Sequence, residues 1–480
     1  MMRFANNRTK KEKKAMKLPF SIPPQKLLWG IVKCLGIYLL VCLLVPPLLG
    51  VHQKSLRQLA LHTCEQERIC LIEHNEDALR WRLRMIRQAQ EEIILSTFDL
   101  RADNSGSDVI AALLDAADRG VQVRLILDGI NSQLHLSSSA AFQALATQEN
   151  VTVLYYNPIS LTGMWRVNYR CHDKYLIIDR SAYLMGGRNT NDLFLGTGGK
   201  ARQNMDLDVV VQGNGTEAAS VRDLLDYFET IWALDTNREF RADPENSRVK
   251  AAAAALRERW AAILEAGQIT PIDYPAETMQ TNSVAILMGD PGAKNKEPVL
   301  LNTLTALMAS GKENVLLQTP YIICNRAMYD ALKQVADSAG EVQILTNDPW
   351  SGANPWGCTD FLNQKKNILK TGASVYQWNG DVSMHTKMML VDDYISILGS
   401  FNWDMRSAYL DTEMMLLVDS PELNQILREQ TDTMLRQSNA ISPEGTQTAG
   451  TEYIAPPFSL FKQVFQNLLR IFIPLFRHLL

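Results

Sequence analysis

Two segments of the chain carry the same residues able to act on a phosphate group. Each has the pattern H-x-K-x4-D-x6-G-[GS]-x-N, and the second copy follows the first at a constant offset of 213 residues. A given histidine has Lys and Asp at these spacings about once in 400 by chance. Two copies among seven histidines therefore indicate an internal duplication. The members are His172, Lys174, Asp179 and Asn189, then His385, Lys387, Asp392 and Asn402.

The spacing places these residues at the end of a strand. The apolar run between Lys and Asp in each copy is typical of a buried strand. Period 2 puts each His and Lys on one face. If the two halves face each other, two imidazoles, two ammonium groups and two amides converge. Lys and Asn suit phosphate oxygens, and a histidine on either side suits in-line displacement at phosphorus.

These residues resemble the duplicated HKD motif of the phospholipase D superfamily. The run from Gly399 to Ser407, followed by Asp411-Thr412-Glu413, is similar to a block in bacterial cardiolipin synthases. The resemblance covers roughly residues 70–435 and is closest to the single-anchor cardiolipin synthase C group. Asp411 departs from the Asn that is usual there, and Gly187 departs from the Ser of many members.

The resemblance implies double displacement through a phosphohistidine. His172 is assigned as nucleophile and His385 as acid and base, although the sequence does not distinguish this from the reverse. Two carboxylates, Asp208 and Glu413, resemble those that orient each histidine. They follow the motif Asn at different distances, so the first half would contain a short insertion.

The other motif residues have simpler expected roles. Lys174, Lys387, Asn189 and Asn402 should hold the phosphate oxygens. Asp179 and Asp392 are expected to be structural. The resemblance implies no metal or organic cofactor, because the lysine ammonium groups supply the positive charge.

The resemblance implies phosphatidylglycerol as donor and a second phospholipid or alcohol as acceptor, giving cardiolipin. Alternatives are a phospholipase D that releases phosphatidic acid, a membrane-anchored nucleic-acid phosphodiesterase, and an idle membrane scaffold. The formal net charge is −4, with +6 in residues 1–17 and −10 in the remainder. This balance is unlike that of nucleic-acid enzymes, whose affinity comes from Lys and Arg, so no nucleic-acid partner is expected.

Residues 27–51 contain a single charge, Lys33, and are long enough to span a bilayer. We interpret them as an uncleaved anchor; a cleaved signal peptide is the alternative. The basic flank should stay cytoplasmic, which predicts a single-pass membrane protein with its catalytic domain on the non-cytoplasmic side. Cys64 and Cys70 could pair if that compartment is oxidising. The oligomeric state stays open.

The predicted fold is α/β, with two fused phospholipase-D-like domains of mixed sheets flanked by helices. Their active site is pseudo-twofold, and one transmembrane helix precedes them. The last segment alternates apolar and polar residues at helical spacing, which favours a membrane-surface helix; a helix docked on the catalytic core is the alternative. The predicted segments are a basic cytoplasmic tail 1–26, the anchor 27–51, a first domain 72–250, a connecting helix and linker 251–298, a second domain 299–440, a tether 441–457 and the amphipathic helix 458–480.

Overall fold

The computed structural model describes residues 24–52, 55–196, 203–213, 219–350, 352, 354–456 and 459–480. The strands of the first 240 residues are β1 Cys64–Glu65, β2 Arg68–Ile72, β3 Glu92–Thr97, β4 Gln122–Asp128, β5 Val151–Tyr156, β6 Tyr175–Ile178, β7 Ala182–Gly186, β8 Asn204–Met205, β9 Asp208–Gln212 and β10 Arg238–Phe240. The later strands are β11 Met279–Gln280, β12 Ser283–Met288, β13 Asn314–Gln318, β14 Glu341–Asn347, β15 Ser374–Trp378, β16 Ser383–Met384, β17 Met388–Val391, β18 Ile395–Gly399, β19 Met414–Asp419, β20 Ser438–Ile441 and β21 Gln447–Ala449.

The helices are numbered in the same way. They are α1 Pro24–Gly50, α2 Asn75–Gln88, α3 Asn104–Asp118, α4 Gly129–His135, α5 Ala140–Ala146, α6 Asp192–Leu195, α7 Ala219–Trp232, α8 Ser247–Glu265, α9 Tyr274–Glu277, α10 Val299–Ala309, α11 Arg326–Ser338, α12 Pro355–Leu369, α13 Met405–Tyr409, α14 Pro421–Arg436 and α15 Leu460–Phe476. Two short 3₁₀ helices cover Leu161–Arg166 and Arg477–Leu479.

Two large mixed sheets form the two halves of the molecule. The first has the order β10-β5-β4-β3-β6-β7-β9-β2-β11, and the second β21-β20-β15-β14-β13-β17-β18-β19-β12-β1. Read in the order of the strands within each sheet, β5 to β2 of the first sheet correspond one by one to β15 to β12 of the second. The motif strands β6 and β17 are buried, and each lies antiparallel to both neighbours. The duplication therefore extends to whole sheets, and the predicted pair of mixed α/β domains is confirmed.

The two sheets share part of their core. Ile177 on β6 and Leu416 on β19 belong to one hydrophobic cluster that spans both halves. A second cluster lies within the first half, where Leu176 on the other face of β6 packs with helix residues such as Leu113. The shared cluster holds the two motif strands in fixed relation, which brings their histidine ends together.

Sheet membership differs from the predicted segments at several places. β12 lies inside the predicted linker 251–298 but pairs with β19 in the second sheet. β1 precedes the predicted first domain and pairs with β12, while β20 and β21 extend the second sheet into the predicted tether. The apolar run of β12 is only a few residues long and lies between turn-forming Pro and Gly residues, so the sequence pattern predicts a loop there.

The two cysteines considered as a pair lie on different sheets. Cys64 is on β1, opposite Val284, and Cys70 is on β2, opposite Val210. Both thiols are free. The disulfide considered from the sequence is therefore not formed.

Helix α1 carries the predicted anchor. Its residues Leu28–Gly50 form a helix of 23 residues that is long and apolar enough to cross a membrane. Of the predicted tail 1–26, residues 1–23 lie outside the described residues. The large side chains along α1 are mostly exposed, among them Leu40 at 55% and Leu49 at 65%.

Helix α15 docks on the second domain through its polar face. Gln466 Nε2 donates to Pro349 O at 2.8 Å, and Arg470 Nε donates to Asn363 Oδ1 at 3.0 Å. Phe461 on the opposite face is 83% exposed. The helix thus combines the two interpretations of segment 458–480, because it is docked on the core and still presents an apolar face outward.

Candidate active site

The two motif histidines lie where the sheets meet, and each contacts a carboxylate from the opposite half. His172 Nδ1 lies 2.9 Å from Glu413 Oε1. His385 Nδ1 lies 2.6 Å from Asp206 Oδ2. A carboxylate at Nδ1 fixes the ring and leaves Nε2 as the nitrogen available to a substrate.

Backbone contacts hold this crossed arrangement. Cys171 forms a parallel bridge with Thr412, and the His172 amide donates to Thr412 Oγ1 at 3.1 Å. On the other side β16 pairs with β8, and the His385 amide donates to Met205 O at 2.7 Å. The segment that carries each histidine is therefore joined to the segment that carries its carboxylate.

Asp206 contacts His385, which corrects the assignment of Asp208 from the sequence. Asp208 is fully buried against two cations instead. Its Oδ2 lies 2.9 Å from Arg82 Nη1 and 3.5 Å from Arg188 Nη1. It thus belongs to an internal ion cluster beside the site.

Strand register explains the correction. Asp208 pairs with Gly186 in the first sheet, as Met415 pairs with Gly399 in the second. The equivalent of Glu413 is therefore two residues before Asp208, at Asp206. Asp206 and Asp208 are two residues apart, so their side chains point to the same face of a strand. The alternation of side chains therefore does not show which of the two meets the histidine.

Both motif lysines are buried beside their histidines. Lys174 Nζ donates to the carbonyl of His172, and Lys387 Nζ to the carbonyl of His385. Neither ammonium group exhausts its three donors in that bond. The remaining N–H groups are able to bind phosphate oxygens.

The motif asparagines have amide groups largely without partners. The amide oxygens of Asn189 and Asn402 are buried and find no hydrogen-bond partner within the described residues. Asn402 Nδ2 has one long contact, 3.4 Å to Tyr321 Oη. Buried polar groups are normally satisfied, so these two amides are candidates to bind a substrate. The structure thus places all six His, Lys and Asn residues of the motif in one site.

An aromatic ring packs edge-on against each histidine. The Phe98 ring lies 5.1 Å from that of His172, and the Phe194 ring lies 4.8 Å from that of His385, between centroids. These contacts restrict the rotation of both imidazoles. Sequence reasoning missed both residues, because a single Phe after a strand, as at 98, or in a short helix, as at 194, carries no distinguishing pattern.

Hydroxyl groups distinguish the two carboxylates. Ser400 Oγ donates to Glu413 Oε2, and Ser407 Oγ donates to Glu413 Oε1 at 2.6 Å. A Cβ on Gly187 would lie 2.4 Å from Asp206 Oδ1, so the first half has no room for the serine that the second half has at 400. Both serines lie within the block that carried the family resemblance, which could have singled them out.

Burial and the lysines lower the pKa of both histidines. Burial and the Lys387 ammonium, 2.6 Å from Nδ1, lower the pKa of His385 to about 4. Burial and Lys174 hold the pKa of His172 well below its ordinary value. Both imidazoles are therefore neutral near pH 7 before substrate binds, and the histidine that acts as the acid must take up a proton when the anionic phosphodiester enters the site.

The two carboxylates respond in opposite directions. Burial raises the pKa of Glu413 to about 8 despite the nearby Lys174. Burial would also raise the pKa of Asp206, but Lys387 and His385 outweigh it and hold that pKa well below its usual range. Asp206 is thus firmly ionised, whereas Glu413 takes up a proton readily.

Asp179 and Asp392 lie at the ends of β6 and β17 away from the histidines. Asp179 accepts backbone N–H groups of residues 90–92 at 2.8 to 3.0 Å. Asp392 accepts those of residues 312–314 at 2.9 to 3.3 Å. Both have positive φ, 46° and 49°, which Asp tolerates better than most residues. Their contacts are those of turn-forming residues.

Comparison with known proteins agrees with this architecture. Residues 83–232 and 304–435, more than half of the chain, match the family described as "Cardiolipin synthase, PLD-like domain". Cardiolipin synthase 1 of Staphylococcus epidermidis is 26% identical over 362 residues, which cover 75% of this chain and 66% of that protein. Cardiolipin synthase C of Escherichia coli K12 is 25% identical over 397 residues, covering 74% and 82%.

A solved structure shares the fold. Phosphatidylserine synthase of Haemophilus influenzae Rd KW20 superposes with a TM-score of 0.58 at 17% identity and covers 86% of this chain and 95% of its own. The family resemblance noted from the HKD motifs is thereby confirmed. The chain belongs to the family of cardiolipin synthase, PLD-like domains, and is an enzyme of the phospholipase D superfamily.

Proposed function

We propose that the protein is a phospholipid phosphatidyltransferase acting by double displacement. The observation that carries the proposal is the crossed pair of imidazoles. Each has a carboxylate at Nδ1, a free Nε2 and a buried lysine beside it. This arrangement supplies a nucleophile, an acid and a cationic cradle for one phosphodiester.

In the first step, His172 Nε2 attacks the donor phosphorus and forms an N–P bond. The bond from phosphorus to the headgroup oxygen breaks, and His385 Nε2 gives its proton to that oxygen. His172 suits the nucleophile because its low pKa keeps the Nε2 lone pair free. His385 suits the acid because ionised Asp206 stabilises its imidazolium form.

In the second step, the hydroxyl of the acceptor gives its proton to His385 Nε2 and attacks the same phosphorus. The N–P bond breaks and releases His172. Throughout, Lys174, Lys387 and the two motif asparagines hold the non-bridging oxygens and the charge that develops on them.

We further propose phosphatidylglycerol as the donor and a second phosphatidylglycerol as the acceptor, with cardiolipin and glycerol as products. The names of the staphylococcal and E. coli relatives support cardiolipin as the product. The net charge of −4 supports a lipid substrate over a nucleic acid.

The apolar helix α1 and the cardiolipin synthase relatives indicate a membrane-anchored protein. We propose that the catalytic domains lie on the non-cytoplasmic side, because basic residues before a span favour the cytoplasm and residues 1–17 carry a balance of +6. We also propose that the outward apolar face of α15 rests on the membrane surface.

The test is a lipid assay on the full-length protein in liposomes with labelled phosphatidylglycerol, beside a His172→Ala control. Cardiolipin from the wild type alone is the expected result. Phosphatidic acid without cardiolipin would change the assignment to a phospholipase D. No turnover to either lipid would contradict the proposal, and single-stranded DNA would be the next substrate.

A further inference from the structure

The catalytic domains are fastened along the second half of α1. Tyr38 Oη donates to Leu161 O at 2.9 Å. Asn168 Nδ2 donates to Leu43 O at 2.7 Å. Beyond the helix end, Asn325 Nδ2 donates to Val51 O at 2.9 Å. The domains therefore lie beside α1 from about Tyr38 onward.

If α1 spans the membrane, its length is incompatible with catalytic domains that lie wholly in water. The 23 residues Leu28–Gly50 extend ~34 Å at ~1.5 Å per residue, close to the ~30 Å thickness of a hydrocarbon core. Residues 28–37, which precede the first contact at Tyr38, extend only ~15 Å. A spanning α1 therefore carries part of the attached domain into the lipid.

The domain surface at that level is apolar. The loop and 3₁₀ helix at residues 159–165, which we call the apolar turn, expose Ile159 at 46%, Leu161 at 74% and Trp165 at 46%. On α1 itself the exposed apolar side chains continue to Leu49, at 65%. Lipid covers such side chains at lower cost than water does.

The two hydroxyl groups of the apolar turn bond each other, with Ser160 Oγ 3.1 Å from Thr162 Oγ1. The Arg166 guanidinium lies over the Trp165 ring, 5.2 Å from its centroid. The carbonyl of Arg166 accepts Asn157 Nδ2 at 2.7 Å. The apolar turn thus resembles an interfacial membrane anchor, in which apolar side chains point outward and a Trp lies at the boundary between lipid and water.

We propose that the apolar turn enters the phospholipid bilayer beside α1, so that the first domain is partly immersed. The proposal rests on the proposed membrane anchoring and not on the transfer chemistry. It also has a consequence for the site: His172 follows Trp165 by seven residues, a span of at most ~25 Å. Immersion of the turn therefore keeps the proposed nucleophile within ~25 Å of a residue that contacts lipid.

Photolabelling tests the proposal without any substitution. Full-length protein in phosphatidylglycerol liposomes is irradiated with a phospholipid that carries a diazirine in its acyl chain, and adducts are mapped by mass spectrometry. We expect adducts in α1 and in residues 159–165. The internal control is Tyr394, which is 41% exposed in the turn between β17 and β18 and should stay unlabelled.

The outcomes separate the two proposals. Label in α1 but not in the apolar turn would overturn immersion and leave the anchor intact. No label in α1 would overturn the anchor and immersion together. Neither result depends on turnover, so both are distinct from failure of the transferase proposal.

A matched pair of variants adds a functional readout. The double substitution Leu161→Glu and Trp165→Glu should lower activity on liposomes at least ~10-fold, because two charges oppose entry into lipid, and leave activity on monomeric short-chain phosphatidylglycerol unchanged. Tyr394→Glu should alter neither activity. Equal loss on both substrates, or no loss on either, would contradict the proposal.

Discussion

The two halves of the active site share one motif and differ in the carboxylate that each histidine receives. His172 faces Glu413, which burial makes easy to protonate and which two serine hydroxyls contact. His385 faces Asp206, which Lys387 keeps ionised. Identical motifs therefore acquire different protonation behaviour from residues outside the motif, and this difference supports the division into nucleophile and acid.

Exchange of each histidine for glutamine should separate the two roles most strongly. We expect His172→Gln and His385→Gln each to lower turnover ~10⁴-fold or more. Only His385→Gln should accumulate a phosphatidyl adduct, because its nucleophile remains while the proton donor is lost. Intact-protein mass spectrometry at neutral pH measures the adduct. An adduct in His172→Gln instead would reverse the assignment.

Substitution of the carboxylates should have the next largest effect. Asp206→Asn removes the charge that stabilises the His385 imidazolium, and we expect turnover to fall ~10²- to 10⁴-fold. Asp208→Asn is the matched control. It weakens the pairing with Arg82 and Arg188, so it should cost ~3 kcal/mol of stability with a smaller effect on the activity of folded protein. The opposite pattern, from steady-state rates and chemical denaturation, would favour the sequence-based assignment of Asp208.

A pH profile should distinguish the Glu413 side. Ionised Glu413 holds the Nδ1–H of His172, so kcat/KM should rise with pH toward the pKa of about 8. Ser400→Ala removes a donor that stabilises the carboxylate, which raises this pKa and moves the rising limb to higher pH; at pH 7 we expect a ~10-fold loss. The control is Ser396→Ala on β18, whose buried hydroxyl has no partner within the described residues. A pH dependence of kcat/KM that is the same in Ser400→Ala and in the wild type would contradict the role of Glu413.

Substitution of the motif aspartates Asp179 and Asp392 should have the smallest effects. The two halves use this aspartate in the same way, as an acceptor of backbone N–H groups. Asp179→Asn and Asp392→Asn each weaken hydrogen bonds to three backbone N–H groups. We expect each to lower stability by ~1–3 kcal/mol and to leave the activity of folded protein unchanged, as measured by thermal melts and active-site titration. A loss of activity without a loss of stability would indicate a direct role for that aspartate.

The sequence predicted those parts of the site that depend on local spacing. Period 2 along β6 and β17 was sufficient to place each His beside its Lys, and the constant offset revealed the two halves. The choice between Asp206 and Asp208 needed the register of β9 against β7, which is a contact between segments far apart in sequence. The same holds for β12, whose short run becomes a strand only because β19 and β1 lie on either side.

The helices show the same limit. The pattern of α15 predicted its two faces, but not that the polar one would contact the domain. At the start of α3, Asp103 is the N-cap and accepts the Gly106 amide, whereas Asp108, which lies just before the apolar run, pairs with Arg259 instead. Capping depends on where the chain turns, and several acidic residues near one helix start satisfy the sequence rule equally well.

The exchange of carboxylates between the halves also bears on synthesis of the protein. Glu413 lies 241 residues after His172, so the nascent first domain displays its nucleophile before the partner carboxylate exists. At ~5–20 residues per second this interval lasts about 10–50 s. An unfinished chain consequently lacks both the carboxylate and the second histidine on which the proposed transfer depends, and it acquires that activity only when translation is complete.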